Sequence, residues 1–202
     1  MRYLVLIFTC LWWIQSQAQS TERLQNAFVQ SYALERQGDF RKAADALKEV
    51  YSNDSYEVNL RLGWLNYHAG LFDDSKAFYR RALQLMPLSE EARFGILLPL
   101  SATGEWDEAV RYYQEILSNN PVNTVAMYRL GLVYYGRREW LTAQRQFQKV
   151  VDLYPFGYDG LLMLAWTNLQ LGRNREATVL FNKVLLYAPG DSSALEGLSL
   201  IK

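Results

Sequence analysis

Apolar, small and helix-breaking residues recur along this chain in one register of 34 residues. Large aromatic residues occupy one position of the register, at Tyr79, Tyr113, Phe147 and Phe181. A small residue lies four positions before each of them, at Ser75, Ala109, Ala143 and Ala177. Glycine and proline keep two further positions, at Gly70, Gly104 and Gly172 and at Pro87, Pro121, Pro155 and Pro189. Several residue types that share one period over most of a chain indicate an array of repeated structural units.

Each position of the register predicts one feature of a pair of helices. The glycines end the first helix because glycine adopts the left-handed backbone conformation without strain, and Arg138 takes that place in one repeat. The prolines end the second helix because proline has no N–H with which to continue it. Gly63 and Gly131 let the first helix approach the second closely, and the aromatic rings fill the space between consecutive repeats. Because one pair cannot bury its apolar face alone, neighbouring pairs are expected to stack.

The motif within one period resembles a known family. The fourth repeat reads Met127-x-x-Leu130-Gly131-x-x-Tyr134, then Ala143-x-x-x-Phe147, then Pro155. This is similar to the 34-residue tetratricopeptide-repeat (TPR) signature, and the resemblance covers residues 24–189. It implies an all-α fold, a right-handed superhelix of about five helix-turn-helix repeats that ends in a short capping helix. The repeats are predicted near residues 24–55, 56–89, 90–123, 124–157 and 158–191, with the cap at 192–202.

Two of the repeats depart from the pattern. The first is two residues short, and the deletion is predicted around Tyr51 to Ser55. In the third, Leu97 occupies a position where the neighbouring repeats have Gly or Ala, which predicts a wider spacing of its two helices. Pro99 lies inside the first helix of the same repeat, four residues after Gly95. A kink is therefore predicted between these two residues, either as a tolerated local feature or as a hinge.

The first eighteen residues have the composition of a secretory signal peptide. Arg2 precedes an apolar run from Tyr3 to Ile14, and Ser16-Gln17-Ala18 supplies small residues at a cleavage site. The run is shorter than the roughly 20 residues that span a bilayer, which argues against an uncleaved anchor. The prediction is a signal peptide at residues 1–18 and a single TPR domain at residues 19–202, exported to the bacterial periplasm. The only cysteine, Cys10, lies in the leader, where the surrounding residues match a lipoprotein motif poorly.

The TPR resemblance also implies where a partner would bind. In TPR proteins the second, fifth, ninth and twelfth positions of the first helices line a groove. Most of these positions hold large apolar or aromatic residues in this chain: Phe28, Tyr32, Leu60, Trp64, Tyr67, Phe94, Leu98, Tyr128, Leu132, Tyr135, Leu162, Trp166 and Leu169. Some of them serve the scaffold in ordinary repeats, but tryptophan at ninth positions is costly to expose and favours a binding surface.

Three binding hypotheses follow from such a groove. The leading one is a peptide or an amphipathic helix of another envelope protein. The second is self-association into a homo-oligomer, and the third is a glycan stacked on the aromatic rings. Arg61 and Arg129 lie at sixth positions on the groove edge, where solvated side chains or intramolecular pairs, each contributing less than about 1 kcal/mol, are expected.

Composition and candidate chemistry argue against other classes of function. The chain has 21 basic and 21 acidic residues, so it lacks the basic excess that favours nucleic acid. One histidine, His68, and no cysteine after the leader leave no set of ligands for zinc. The acidic pairs Asp73-Asp74 and Glu90-Glu91 begin helices, where carboxylates favour the helix dipole. We therefore predict a non-enzymatic scaffold with no cofactor, no metal, no catalytic residues and, once the leader is cleaved, no membrane span.

Overall fold

The computed structural model describes residues 20–201, and every regular element in that range is an α-helix. The first helix, α1, covers residues 20–36. It is followed by α2 (Phe40–Lys48), α3 (Tyr56–His68), α4 (Phe72–Leu85), α5 (Glu90–Thr103), α6 (Trp106–Asn119), α7 (Thr124–Gly136), α8 (Trp140–Leu153), α9 (Tyr158–Gln170), α10 (Asn174–Tyr187) and α11 (Ser192–Ser199). The predicted all-α fold is confirmed. The predicted leader lies outside the described residues, as does Cys10.

The helices keep the register that the sequence predicts. The first helix of each repeat after the first begins at residues 56, 90, 124 and 158, and α11 follows at 192. The second helices begin at residues 72, 106, 140 and 174 with the same step. These starts coincide with the residues at which the sequence places repeats two to five and the cap. Within residues 20–201, no helix combines the length and the apolar composition needed to cross a bilayer.

The helix ends follow from local chemistry. Gly70, Gly104 and Gly172 have φ of 75°, 75° and 72°, in the left-handed region that favours glycine. Arg138 takes the equivalent place with φ of 60° and is the only non-glycine residue with positive φ within the described range. Asp191 is the N-cap residue of α11, because its carboxylate accepts a hydrogen bond from the Ala194 backbone N–H at 2.8 Å.

The helices form two compact units, of which the first ends at Glu105. In unit 1, α3 packs against α2 and α4, and α5 packs against both α4 and α3. One core cluster of this unit joins the first three helices through small and branched side chains: Ala27, Ala43, Ala44, Leu47, Val58, Leu62 and Leu65. The first helices of consecutive repeats, α3 and α5, therefore lie side by side.

Unit 2 begins at Trp106 and contains α6 to α11. Its core includes Phe147 and Phe181, which are fully buried, and extends to Ala194 of α11. The short last helix packs against α10 and α9, and Leu198 and Ile201 cover the same core. The C-terminal helix is therefore a cap on the fifth repeat, as predicted.

The aromatic residues of the register fit into notches left by glycines. A Cβ atom added to Gly63 would lie 2.8 Å from the Tyr79 ring, and one added to Gly95 would lie 2.2 Å from the same ring. The Tyr79 ring thus fills the space between repeats two and three, as predicted. Gly131 leaves similar room for Phe147, where an added Cβ would lie 2.6 Å from the ring. These glycines are required by close approach, because a side chain would displace a buried ring.

Repeat one is shortened in its second helix. The helix α2 has 9 residues, whereas α4, α6, α8 and α10 have 14 each. The connection that follows α2, residues 49–55, is longer than the connection after α4, residues 86–89. The shortening therefore lies in α2 and not, as predicted, around Tyr51 to Ser55. The loop after α2 is longer than the equivalent loop after α4, which makes up part of the difference in length.

In repeat three, α5 runs from Glu90 to Thr103 as one uninterrupted helix with Pro99 inside it. The carbonyl of Pro99 accepts a hydrogen bond from the Thr103 hydroxyl at 2.9 Å. Gly95 is explained by the adjacent Tyr79 ring as well as by the proline four residues later. The predicted kink and hinge, and the wider helix spacing at Leu97, remain predictions.

Candidate functional site

The first helices of unit 1 carry seven of the predicted groove residues, and their meeting on one surface is the prediction of the TPR register. We call this surface the unit 1 face, and it is formed by Phe28, Tyr32, Leu60, Trp64, Tyr67, Phe94 and Leu98. None of the seven side chains is fully buried. Tyr32 is 46% exposed and Trp64 is 37% exposed. This face therefore offers aromatic surface to solvent.

An ion pair between a buried arginine and a partly exposed glutamate contacts the two exposed aromatic residues. The Arg61 guanidinium donates to a Glu35 carboxylate oxygen at 2.6 Å, and the Trp64 indole N–H donates to the other oxygen at 2.6 Å. The guanidinium carbon of Arg61 lies 3.9 Å from the centre of the Tyr32 ring, in cation–π contact. One carboxylate thus orders an arginine and a tryptophan of the following repeat, and the arginine supports the tyrosine.

The pKa of Glu35 reflects this arrangement. Burial raises the pKa of the carboxyl, but hydrogen bonds from Arg61 and Trp64 and the nearby positive charge outweigh burial and lower it below its ordinary value. Glu35 is therefore an anion at neutral pH. It is 23% exposed, whereas the Arg61 side chain is only 9% exposed.

His68 closes the same surface at the end of α3. Its ring lies 4.1 Å from the Trp64 ring, 4.9 Å from the Phe40 ring and 5.0 Å from the Tyr67 ring, measured between centroids. The residue as a whole remains exposed. The sequence predicts a surface histidine near a helix end, and the structure adds that its ring belongs to an aromatic cluster.

Two further carboxylates lie at the start of the first helices. Glu57 and Glu91 occupy the second positions of α3 and α5, and both are exposed. The Glu57 carboxylate accepts a hydrogen bond from Ser55 at 3.1 Å, and Glu91 accepts one from the Tyr56 hydroxyl at 3.4 Å. Neither residue is among the predicted site residues. The rule that places second positions in the groove was the signal that could have found them.

The first helices of unit 2 carry the other six predicted groove residues. We call this surface the unit 2 face, and all six of its residues are partly buried and pack against the unit 2 core: Tyr128, Leu132, Tyr135, Leu162, Trp166 and Leu169. The aromatic members lie against rings of the second helices at centroid distances of 4.9 to 5.8 Å, in the pairs Tyr135–Trp140, Trp166–Phe181 and Tyr128–Phe147. The indole N–H of Trp166 donates to the Ser193 hydroxyl of α11 at 2.9 Å. These side chains therefore support the fold directly.

A family comparison identifies the architecture. The family model described as tetratricopeptide repeat matches residues 28–90, 100–157 and 128–194. Together these segments cover well over half of the chain. The chain belongs to the TPR family. TPR proteins are in general scaffolds that bind other proteins, and membership of the family supports an interaction scaffold.

Solved structures of TPR proteins share the fold. A crystal structure of MamA is 24% identical with a TM-score of 0.73, and the match covers 82% of this chain and 92% of that one. A TPR protein from Parabacteroides merdae is 21% identical with a TM-score of 0.77, over 88% and 72% of the two chains. YrrB, described as a TPR protein with an unusual peptide-binding site, is 15% identical with a TM-score of 0.74, over 93% and 97%. No curated protein sequence matches the chain.

Residues at the same position of the TPR register differ in exposure. Trp64 and Trp166 both occupy ninth positions, but Trp64 is 37% exposed and Trp166 is partly buried. Arg61 was expected to be solvated or paired on the groove edge, and the structure shows it paired but buried, because Glu35 of the preceding repeat neutralises it. Arg129, at the same position of repeat four, is exposed. Across residues 20–201, no three His, Asp or Glu side chains lie close enough together to hold a metal ion.

Proposed function

We propose that this TPR protein is a non-enzymatic adaptor of the bacterial cell envelope that binds a segment of another protein on the unit 1 face. Membership of the TPR family supports binding of a protein partner. A fold shared with YrrB, which is described as having a peptide-binding site, is consistent with a peptide or a helix as the bound segment. The leader pattern of residues 1–18 supports export, and the periplasm is the proposed location.

One observation carries the proposal for the unit 1 face. Trp64 and Tyr32 are exposed, although burying the apolar surface of their rings in the core would be favourable. Tryptophan and tyrosine are the residue types that most often dominate binding energies at interfaces. Exposed aromatic surface on an interaction scaffold therefore favours a binding site at these two residues.

The network beneath the rings makes that surface rigid before a partner arrives. Glu35 fixes the indole of Trp64 through its N–H, and Arg61 supports the ring of Tyr32 from one side. Side chains that are already ordered lose little conformational entropy on binding, which increases affinity for a given contact area. The unit 1 face is thus preorganised for recognition.

The unit 2 face has a different proposed role. Its aromatic residues pack on core rings and on α11, so they hold the last repeats together and offer less surface to a partner. We assign contact with the partner to the unit 1 face and stabilisation of the fold to the unit 2 face.

The experiment that tests the function is affinity capture from native envelope extract. Residues 19–202 would serve as bait in three forms, the wild type, Trp64→Ala and Trp106→Ala. Trp106 is 42% exposed at the start of α6 and is not among the predicted groove residues, so it is a matched tryptophan. Circular dichroism would confirm that each form is helical.

We expect the wild type and Trp106→Ala to recover the same partner protein, and Trp64→Ala to lose it. Equal recovery by all three forms would contradict the assignment to the unit 1 face. If the bait recovers only itself, the self-association hypothesis replaces partner binding. If the bait recovers polysaccharide, the glycan hypothesis replaces binding of a protein partner.

A further inference from the structure

The charge that the unit 1 face shows to solvent is negative. Glu57 and Glu91 are exposed in the first turns of α3 and α5, and hydroxyl groups are their hydrogen-bond partners. The helix dipole accounts for a carboxylate in a first turn. The two carboxylates also occupy the same position of α3 and α5, the helices that carry five of the seven residues of the unit 1 face.

The arginines on the same two helices do not offset this charge. Arg61 is buried beneath the face and neutralised by Glu35. Arg93 of α5 is 7% exposed, and its guanidinium donates to the Pro87 carbonyl. The exposed basic side chains of the first helix α1 are Arg23, near its start, and Arg36, which ends the helix one turn after Tyr32. On α3 and α5, the side chains that bear a full charge and meet solvent at the start of the face are therefore carboxylates.

The carboxylates stand in register with the apolar surface. Glu57 precedes Leu60 by three residues and Trp64 by seven, so the three side chains lie along one side of α3. Glu91, Phe94 and Leu98 repeat the same spacing on α5, which packs against α3. Seven residues of helix advance about 10 Å, so the row formed by Glu57 and Glu91 runs about 10 Å from the row formed by Trp64, which is exposed, and Leu98, which is partly buried.

We infer that the segment bound on the unit 1 face combines basic side chains with large apolar side chains, the basic ones opposite Glu57 and Glu91 and the apolar ones opposite Trp64 and Tyr32. This inference rests on the proposed function and names the chemistry of its partner. A separation of about 10 Å corresponds to seven residues in a helical segment or to about three residues in an extended one. A helical segment with Lys or Arg at one position and Leu or Phe seven positions away fits both rows.

The test uses two synthetic helical peptides that differ only in charge. In the first, Lys and Leu are placed seven positions apart on one face. In the second, Glu replaces each Lys. Their affinities would be measured by isothermal titration calorimetry against residues 19–202, in the wild type and in the Glu57→Lys, Glu91→Lys double variant. The control is the Glu49→Lys, Asp74→Lys double variant, which changes net charge equally at exposed residues outside the first helices.

We expect the wild type and the control variant to prefer the Lys peptide, and the Glu57→Lys, Glu91→Lys variant to lose about threefold to tenfold in affinity for it, as two exposed ion pairs would give. The same variant should gain affinity for the Glu peptide, and the preference of the wild type should weaken with added salt. Equal binding of both peptides by the wild type, or binding of neither, would overturn the inference. If capture of the natural partner depends on Trp64 but not on Glu57 and Glu91, the proposed function stands and the inferred partner chemistry is wrong.

Discussion

The unit 1 face and the unit 2 face use the same positions of the TPR register for different purposes. In unit 1, the ninth positions hold Tyr32 and Trp64, which are exposed and held by a charged pair that joins two repeats, and Leu98, which is partly buried. In unit 2, the ninth positions hold Leu132 and Trp166, which pack against the core. A large residue at a groove position is therefore not by itself a binding residue.

The difference arises from what surrounds each tryptophan. The Trp166 indole meets a hydroxyl on the capping helix, and its ring lies edge-on against Phe181, which is fully buried. The Trp64 indole meets a carboxylate at the surface, and its ring lies beside His68, which is itself exposed. The first environment stabilises the fold, whereas the second leaves an ordered ring in contact with water. The predictions below test this distinction, from the largest expected effect to the smallest.

The largest effect is expected from removing the ring that supports Trp166. Phe181→Ala should lower the free energy of unfolding by about 3–5 kcal/mol, because it empties a fully buried site between α9 and α11. Urea denaturation followed by circular dichroism measures the change. Phe156→Ala is the matched control, since Phe156 is 54% exposed, and it should cost less than about 1 kcal/mol. Similar costs for both variants would show that unit 2 is not organised around Phe181.

The two tryptophans should separate stability from binding. We expect Trp166→Ala to cost about 2–4 kcal/mol of unfolding free energy, because it removes core packing and a hydrogen bond to α11. Trp64→Ala should cost about 1 kcal/mol or less and abolish capture of the partner. The comparison between the two faces fails if Trp64→Ala destabilises the protein as strongly as Trp166→Ala does.

A smaller effect is expected at the charged pair of unit 1. Glu35→Gln keeps the shape of the side chain but leaves Arg61 buried without its counter-charge, so we expect a loss of about 1–2 kcal/mol at pH 7, reduced by the partial exposure of Glu35. The pKa of Glu35 is lowered in the folded protein, so the contribution of its charge is complete above the ordinary carboxyl pKa of about 4.5 and is lost as the pH falls through the lowered value.

Urea denaturation of the wild type and Glu35→Gln at several pH values between 7 and 3 measures this dependence. The stability difference between the two proteins should shrink toward acidic pH. A difference that stays constant over this range would show that the charge of Glu35 does not stabilise the unit 1 face.

The smallest effect compares the ends of two equivalent helices. Repeat four ends its first helix with Arg138 at φ of 60°, where repeat two has Gly70 at φ of 75°. Arg138→Gly should stabilise the protein by about 1 kcal/mol by removing backbone strain, and Gly70→Ala should destabilise it by a similar amount. Thermal denaturation of the two single variants measures both changes, and the same sign for both would contradict the equivalence of the two helix ends.

The sequence was sufficient to predict the repeat architecture because each structural position constrains residue type. The notch at Gly63 accepts the ring of Tyr79, and the notch at Gly131 accepts that of Phe147, so glycine and aromatic residues recur together. Helix ends recur for the same reason, and Arg138 adopts the left-handed backbone conformation that glycine adopts at the equivalent positions. These steric and packing constraints are the same in each repeat, so the residue types that satisfy them recur with the period of the sequence.

The candidate site was less predictable because it depends on contacts between repeats. Glu35 and Arg61 lie 26 residues apart at different positions of the register, so no periodic pattern links them. From the sequence, Arg61 was expected to be solvated or paired, and only the position of Glu35 in the fold shows that it is paired and buried. Trp64 and Trp166 share one position in the sequence, and only the neighbouring Glu35 and Ser193 distinguish their surroundings.

Site-specific photo-crosslinking in cells tests most directly whether the unit 1 face binds the partner. A benzophenone amino acid would replace Tyr32 on the unit 1 face in one strain. In a second strain it would replace Val125, which is 58% exposed at the start of α7 in unit 2. After irradiation, we predict a discrete adduct of the protein with one partner from position 32 and none from position 125. An adduct from position 125 alone would contradict the assignment of binding to unit 1.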